Sequence, residues 1–99
     1  MLHTVNKSPS ERNALQSCLE HAKPGSAVLL MEDAIYGATT GSTASDIVKD
    51  AMSNVTIYAL QPDVDARGMA GKVMDGIKLI GYGDFVDLVT EHDNTQAWL

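Results

Sequence analysis

Cysteine is nearly absent from this sequence of 99 residues, because Cys18 is its only thiol. A single cysteine excludes an internal disulfide, a Cys-x-x-Cys redox pair and a metal site built from thiolates alone, and it fits a reducing compartment. Long hydrophobic runs are also missing. Residues 1–7 lack the apolar core of a signal peptide, and no run approaches the ~20 residues that cross a membrane. We therefore expect a soluble, cytoplasmic protein without a membrane segment.

Basic side chains are scarce as well. Seven Lys and Arg residues stand against thirteen Asp and Glu residues, which gives a formal net charge of −6. Sequence-independent affinity for nucleic acid comes from Lys and Arg side chains that displace counterions from phosphates, and an acidic field repels the phosphate backbone. We expect no direct binding of nucleic acid, so that any role in RNA chemistry leaves the RNA to another chain.

Short apolar runs alternate with amphipathic segments along the chain. Strands are predicted at residues 2–5, 27–31, 55–60 and 77–80. The continuous apolar run at residues 27–31 is typical of a strand that is covered on both faces in a parallel sheet. Strands alternating with helices predict a small α/β fold, a single domain over residues 1–99, with a mostly parallel sheet and helices on both faces. A domain of this length buries roughly 65% of the surface that its unfolded chain exposes.

Capping residues and apolar spacing locate the helices. Ser8, Pro9 and Glu11 have the form of a capping box, which predicts a first helix that begins there and ends before Pro24 and Gly25. The other predicted features are a loop at residues 37–45, a helix capped near Ser42 or Thr43, a short helical turn from Pro62 to Gly68, a turn at residues 81–84, a last helix with Phe85, Leu88 and Val89 inward, and a tail at residues 93–99.

Cys18 is the candidate catalytic residue, and it lies on the apolar stripe of the first helix. A nucleophilic thiol needs a lowered pKa, because the thiolate is the reactive form. Cys18 is nearer the C-terminal end of its helix, where the helix dipole disfavours a thiolate, although His21 on the same side could offset this if protonated. Two interpretations stay open, a small core hydrophobe and a sulfur carrier.

Three other patterns suggest ligand sites, and each has a simpler explanation. Glu32 and Asp33 follow a strand, where open α/β sheets bind ligands, but the third strand does not end in the aspartate of a receiver domain, so we predict a solvated strand end or helix start. Residues 37–42 lack the lysine of a P-loop. His3, His21 and His92 lack the spacing of metal ligands. No metal and no cofactor is predicted.

Several stretches together resemble one known family. They are MLHTVNKSP at residues 1–9, LLMED at 29–33, YALQPD at 58–63, ARG at 66–68, DFVDL at 84–88 and QAW at 96–98. Through these sequence stretches the chain resembles the DsrH/TusB family over nearly its whole length.

The resemblance implies a small DsrE-type α/β subunit that assembles with DsrE/TusD-like and DsrF/TusC-like chains into a heterohexamer, two copies of each. Such complexes relay sulfur as a cysteine persulfide towards a DsrC/TusE-like acceptor, either for 2-thiolation of the tRNA wobble uridine or in dissimilatory sulfur oxidation. In this family the main persulfide cysteine belongs to the DsrE/TusD-like subunit. This chain would then be a structural or auxiliary sulfur-carrying subunit.

Cys18 also bears on the branch of the family. DsrH-type chains are similar to residues 10–19 of this sequence, including a cysteine in the first helix, whereas TusB-type chains often lack one there, so the DsrH-like branch is predicted. For Trp98 two roles stay open, burial at a subunit interface and packing of the tail on its own core. The competing function is a small-ligand-binding α/β module that acts alone.

Overall fold

A computed structural model describes residues 1–9, 13–41 and 44–98. Within these residues five strands form one sheet in the spatial order β4-β3-β2-β1-β5, and every neighbouring pair is parallel. The strands are β1 Leu2–Val5, β2 Ala27–Leu30, β3 Thr56–Leu60, β4 Lys78–Ile80 and β5 Thr95–Trp98, and the α-helices are α1 Ala14–His21, α2 Ser45–Ala51, α3 Gln61–Ala66 and α4 Tyr82–Glu91. Two 3₁₀ helices span Glu32–Ala38 and Ala70–Lys72. The predicted α/β fold with a parallel sheet is confirmed, and no described helix has both the length and the apolar character to cross a membrane.

The end of the chain differs from the prediction, because the predicted tail contains a fifth strand. Residues Thr95–Trp98 pair with β1, so that Trp98 is the register partner of Val5. The segment TQAW has little hydrophobic alternation, and its side chains are mostly exposed. Pairing of its backbone with a buried neighbouring strand creates this strand, which local composition does not reveal.

Two helix boundaries also differ from the prediction, and a third predicted boundary lies outside the described residues. Helix α1 begins at Ala14, with Asn13 at the N-cap position and no capping bond from its side chain, so Ser8 does not start the helix, and Glu11 lies outside the described residues. The predicted turn at residues 81–84 is the first turn of α4, where Asp84 Oδ2 accepts a hydrogen bond from the Gly81 N–H at 3.2 Å. The predicted cap at Ser42 or Thr43 lies outside the described residues.

One face of the sheet carries most of the helices, and we call it the first face. It presents the side chains of Val5, Val28, Leu30, Ile57 and Ala59. The chain runs from β1 to β4 in steps of one direction across the sheet, and right-handed crossovers place all of those connections on the same side. Buried residues of α1, α2, α3 and the longer 3₁₀ helix therefore join this core.

The opposite side, the second face, is covered differently. The connection from β4 to β5 returns across the sheet in the reverse direction, so right-handedness places α4 on this side. The second core contains Leu2, Ala27, Leu29 and Leu60, and its described helical members, Leu88 and the half-buried Phe85, both come from α4. Helices thus occupy both faces, as predicted, but very unequally.

Candidate functional site

Cys18 lies on the inner side of α1, sealed into the core of the first face with a relative exposure of 0%. Helix α1 holds it there because Ala14, Leu15 and Cys18 recur at the spacing that faces one side of a helix. Burial raises the pKa of the Cys18 thiol from 9.0 to about 12, since a thiolate would lose its hydration there. At neutral pH the side chain is a protonated, apolar packing element.

His21 does not provide the activation that the sequence suggested. It lies exposed at the end of α1, and its Nδ1 is 2.7 Å from the carbonyl oxygen of Ser17. Because a carbonyl oxygen only accepts hydrogen bonds, Nδ1 carries the proton and donates it to this carbonyl. The pKa of Cys18 is raised by burial alone, so His21 does not favour its thiolate.

His21 instead belongs to a group of three rings at the open edge of the sheet. Trp98 of β5 donates a hydrogen bond from Nε1 to Nδ1 of His3 on β1, at 3.0 Å. The ring centroids of Trp98 and His3 are 6.1 Å apart, and those of Trp98 and His21 are 5.9 Å apart. Trp98 therefore packs on the core of its own chain, which is the second of the two roles predicted for it.

The hydrogen bond also defines the state of His3. Since Nδ1 accepts from the indole, the ring is neutral and carries its proton on Nε2. Burial, with a smaller contribution from the positive N-terminal group, lowers the pKa of His3 below 6.5. Sequence spacing could not find this contact, because His3 and Trp98 are 95 residues apart.

A cavity of about 590 Å³ opens beside these rings. Its volume is within the range of roughly 300–1,000 Å³ that small-molecule sites occupy. The indole of Trp98 supplies an apolar wall, and His21 and Lys23 supply polar groups. The lining residues are Met1, His3, His21, Lys23, Pro24, Gly25, Ser26, Gln96 and Trp98.

The acidic pair at the end of β2 joins two elements together. Asp33 Oδ1 accepts hydrogen bonds from Nη2 of Arg67 at 2.9 Å and from its Nε at 3.2 Å. Asp63 Oδ2 accepts a hydrogen bond from the backbone N–H of Glu32 at 2.7 Å. These contacts join the longer 3₁₀ helix to α3 and to Arg67, the C-terminal cap of α3. Asp33 lies in the first turn of the 3₁₀ helix. Of the two predicted roles for the pair, a strand end or a helix start, the helix start is correct for Asp33.

The glycine-rich stretch is more ordered than the predicted loop. Gly37 and Ala38 are buried in the longer 3₁₀ helix, and Thr39 forms an antiparallel bridge with Val73. Ser42, the last residue of the stretch, lies outside the described residues. The loop prediction is therefore wrong for residues 37 and 38, which are buried in the longer 3₁₀ helix with Gly37 against Leu15 of α1, and for Ser45, which begins α2.

The predicted absence of a metal site can be compared only with the residues that are described. Among these, no group of three or more His, Cys, Asp or Glu side chains is arranged to hold a metal ion. His3 and His21 both lie beside Trp98, and His92 follows α4.

Comparison with known proteins identifies a family for this chain, which the local geometry does not. The model of the family described as DsrH like protein matches residues 7–95. Protein TusB of Pectobacterium atrosepticum is 38% identical over 99 residues, covering 99% of this chain and 100% of the relative. Protein TusB of Klebsiella pneumoniae is 37% identical over 100 residues, with the same coverage. The chain belongs to the DsrH/TusB family.

Solved structures support the same fold for this DsrH/TusB-family chain. The ychN protein from E. coli superposes with a TM-score of 0.80 at 15% identity, covering 98% of this chain and 97% of that protein. MTH1491 from Methanobacterium thermoautotrophicum, a protein of unknown function, superposes with a TM-score of 0.75 at 16% identity, covering 97% and 96%. At these identities the likeness concerns the fold alone.

Proposed function

We propose that this chain is a subunit of a heterohexameric sulfur-relay complex, with two copies each of this chain, a DsrE/TusD-like chain and a DsrF/TusC-like chain. The observation that carries the proposal is the state of its only thiol. Cys18 is enclosed and its pKa is raised to about 12, so the subunit by itself offers no thiolate for sulfur transfer. A member of this family in that state needs a partner chain to hold the persulfide and pass it to a DsrC/TusE-like acceptor.

Within that complex we assign Cys18 a packing role. An auxiliary carrier role requires α1 to move away from the sheet, because the thiol is covered on the first face. The intact mass of this chain after sulfur loading of the complex tests the assignment. A reductant-sensitive gain of about 32 Da, one sulfur atom, that Cys18→Ser abolishes would establish a carrier instead.

The destination of the sulfur separates the two branches of the family. The name TusB of the full-length curated relatives supports 2-thiolation of tRNA, whereas the cysteine in α1 supports the DsrH-like branch. We propose the tRNA branch, because the TusB relatives match the chain over its full length, whereas the similarity to DsrH-type chains was drawn from residues 10–19. Deletion of the gene should then abolish 2-thiouridine at the wobble position, measured by mass spectrometry of digested tRNA. Unchanged tRNA together with impaired sulfur oxidation would assign the chain to the DsrH-like branch.

Isolation of the native protein tests the proposal as a whole. A tagged chain expressed from its own chromosome should be recovered with DsrE/TusD-like and DsrF/TusC-like chains in equal amounts. Native mass spectrometry should give the mass of two copies of each. Recovery as a lone monomer or homodimer from cells that contain the other two chains would overturn it.

The cavity beside Trp98 favours a second candidate, a small-ligand-binding module that acts alone. Its size and its mixed aromatic and polar lining suit a small organic ligand. Native mass spectrometry of the freshly isolated chain distinguishes the candidates. A lone chain that retains a small molecule, and loses it in Trp98→Ala, would favour this module over the relay subunit.

A further inference from the structure

The floor of the cavity beside Trp98 is formed by the first face of the sheet. His3 of β1 is the register partner of Gln96 of β5, and Trp98 lies two positions further along β5. Side chains at alternate positions of a strand share a face, so these three project on the side that α1 covers. Ser26, immediately before β2, lines the same cavity. The end of α1 at His21 forms part of the rim.

Two buried polar groups on this floor have no partner among the described residues. His3 and Ser26 are each 5% exposed. Nδ1 of His3 accepts the indole hydrogen bond, so Nε2 carries a proton, and no described residue accepts it. The hydroxyl of Ser26 likewise has no described partner. Among described residues, Asn6 Oδ1 is the one buried side-chain oxygen or nitrogen that is sealed from solvent without a partner. Both groups therefore reach open space, which the cavity provides.

The charge around the cavity indicates which ligand these groups suit. The chain has thirteen acidic side chains, and none of the described ones lines the cavity, whereas Lys23 does. Donors beside a positive charge suit an anion, because hydrogen bonds to a charged oxygen are stronger than those between neutral groups. Helix α1 ends at the rim, and the negative end of its dipole disfavours a multiply charged ligand. The lining therefore favours a single negative charge.

The walls of the cavity indicate the body of the ligand. The indole of Trp98 is tilted by 37° against the ring of His21, with the centroids 5.9 Å apart, and Pro24 adds apolar atoms. A planar aromatic group packs well against such rings. A volume of about 590 Å³ suits a small organic molecule rather than a simple inorganic ion. The anionic group should therefore belong to a ligand with an apolar, planar body.

We propose that this cavity binds a small organic carboxylate with an aromatic body. The Nε2–H of His3, the hydroxyl of Ser26 and the ammonium group of Lys23 hold the carboxylate, and the indole of Trp98 packs on the aromatic body. The inference goes beyond the sulfur relay, because every group of the site belongs to this chain. It gives the cavity a ligand class and does not require the chain to act alone.

Titration of the purified chain with benzoate tests the site. Trp98 is the only tryptophan, so its indole N–H gives one NMR signal that reports on the cavity. Benzoate should shift this signal saturably, with a Kd of about 1 mM or below. Benzamide has nearly the same shape without the charge and should bind at least roughly tenfold more weakly. Equal affinities for the two probes, or no saturable shift with benzoate, would overturn the proposal.

Substitutions separate the charge from the buried hydroxyl. Lys23→Gln should weaken benzoate binding roughly fivefold or more and leave benzamide binding unchanged, because it removes the cation. Ser26→Ala should weaken benzoate binding roughly fivefold through the lost hydrogen bond. Lys49→Gln is the matched control, since Lys49 is an exposed lysine of α2 outside the cavity, and it should bind as the wild type does. Circular dichroism verifies that each variant is folded. Wild-type affinity for benzoate in both the folded Lys23→Gln and Ser26→Ala variants would contradict the assignment.

Inorganic phosphate tests the class of anion. Phosphate should not displace benzoate, whereas phosphate that binds more tightly than benzoate would overturn the carboxylate in favour of a phosphate ligand. The site and the sulfur relay can fail separately. A chain that does not bind benzoate but is recovered with DsrE/TusD-like and DsrF/TusC-like chains would overturn the site alone. A chain that binds benzoate but is recovered without those chains would overturn the relay alone.

Discussion

The two faces of the sheet are covered by helices to different degrees. The first face is covered by α1, α2, α3 and the longer 3₁₀ helix, and it encloses Cys18 completely. The second face has α4 as its only described helix, and that helix exposes Tyr82, Val86 and Val89. The first face therefore keeps the thiol from solvent, although the cavity beside Trp98 opens at its edge, and the second face leaves apolar side chains of α4 exposed.

This contrast has a topological cause. Strands β1 to β4 advance in one direction across the sheet, so successive right-handed connections cover the same face. Only the return to β5 crosses the other face. Among the described residues no other connection crosses the second face, so α4 is the one helix described there.

Reactivity of thiols should show the largest difference between the faces. Native Cys18 should react with a soluble disulfide reagent at least roughly a hundredfold more slowly than an exposed thiol, because the side chain is enclosed and burial raises its pKa from 9.0 to about 12. The comparison thiol is Thr90→Cys in a Cys18→Ala background, on the exposed side of α4. Similar labelling rates for the two thiols in the folded protein would contradict the closed first face.

Truncation of side chains should separate the faces in stability. Leu30→Ala on the first face should lower the free energy of unfolding by about 2–5 kcal/mol, because it leaves a cavity around a fully buried site. Val86→Ala on α4 should change it by less than about 0.5 kcal/mol, since the side chain is 62% exposed. Urea unfolding followed by circular dichroism measures both values, and equal losses would show that α4 packs more tightly than described.

Two glycines sharpen the same comparison. A Cβ at Gly37 would lie 2.5 Å from Cδ2 of the buried Leu15, so Gly37→Ala should cost about 1–3 kcal/mol of unfolding free energy. Gly83 of α4 has no neighbour within 4 Å of such a Cβ, so Gly83→Ala should stabilise by up to about 1 kcal/mol. Adding Leu15→Ala to Gly37→Ala should cost less than the two single losses combined, because the clash is removed. Additive losses would rule out the clash as the cause.

The indole of Trp98 should contribute a smaller amount at the edge of the first face. Trp98→Phe removes the hydrogen bond to His3 Nδ1 and should lower the free energy of unfolding by about 0.5–1.5 kcal/mol beyond its packing loss. Adding His3→Gln to Trp98→Phe makes a double-mutant cycle that isolates this bond. A coupling energy near zero would mean that the bond contributes nothing to stability.

The pH dependence of stability should show the smallest effect. The folded state holds the pKa of His3 below 6.5, so the unfolded chain binds a proton more readily as the pH falls. The contribution of His3 to stability is therefore full above pH 6.5 and decreases as the pH falls through the lowered pKa of the folded state. Urea midpoints measured from pH 7 downwards should decrease less in His3→Gln than in the wild type, and equal slopes would exclude His3 as the cause.

Much of the fold could be predicted because the spacing of apolar residues along the sequence indicates which side chains are buried. The continuous apolar run of β2 correctly indicated a strand covered on both faces, and the stop of α3 at Gly68 was correct because that residue has a φ of +65°. Strand β5 was missed, since Thr95–Trp98 has no apolar alternation and depends on pairing with β1. The contact between Trp98 and His3 was missed for the same reason.

By itself the sequence determined the order of the elements, the scarcity of thiols and basic groups, and the resemblance to the DsrH/TusB family, because these depend on composition and local sequence. Only the tertiary structure decided that Cys18 is enclosed, that Trp98 donates a hydrogen bond to His3, and that α4 is the one described helix on its face. Those facts follow from strand order and handedness, which bring distant residues together or leave a face open.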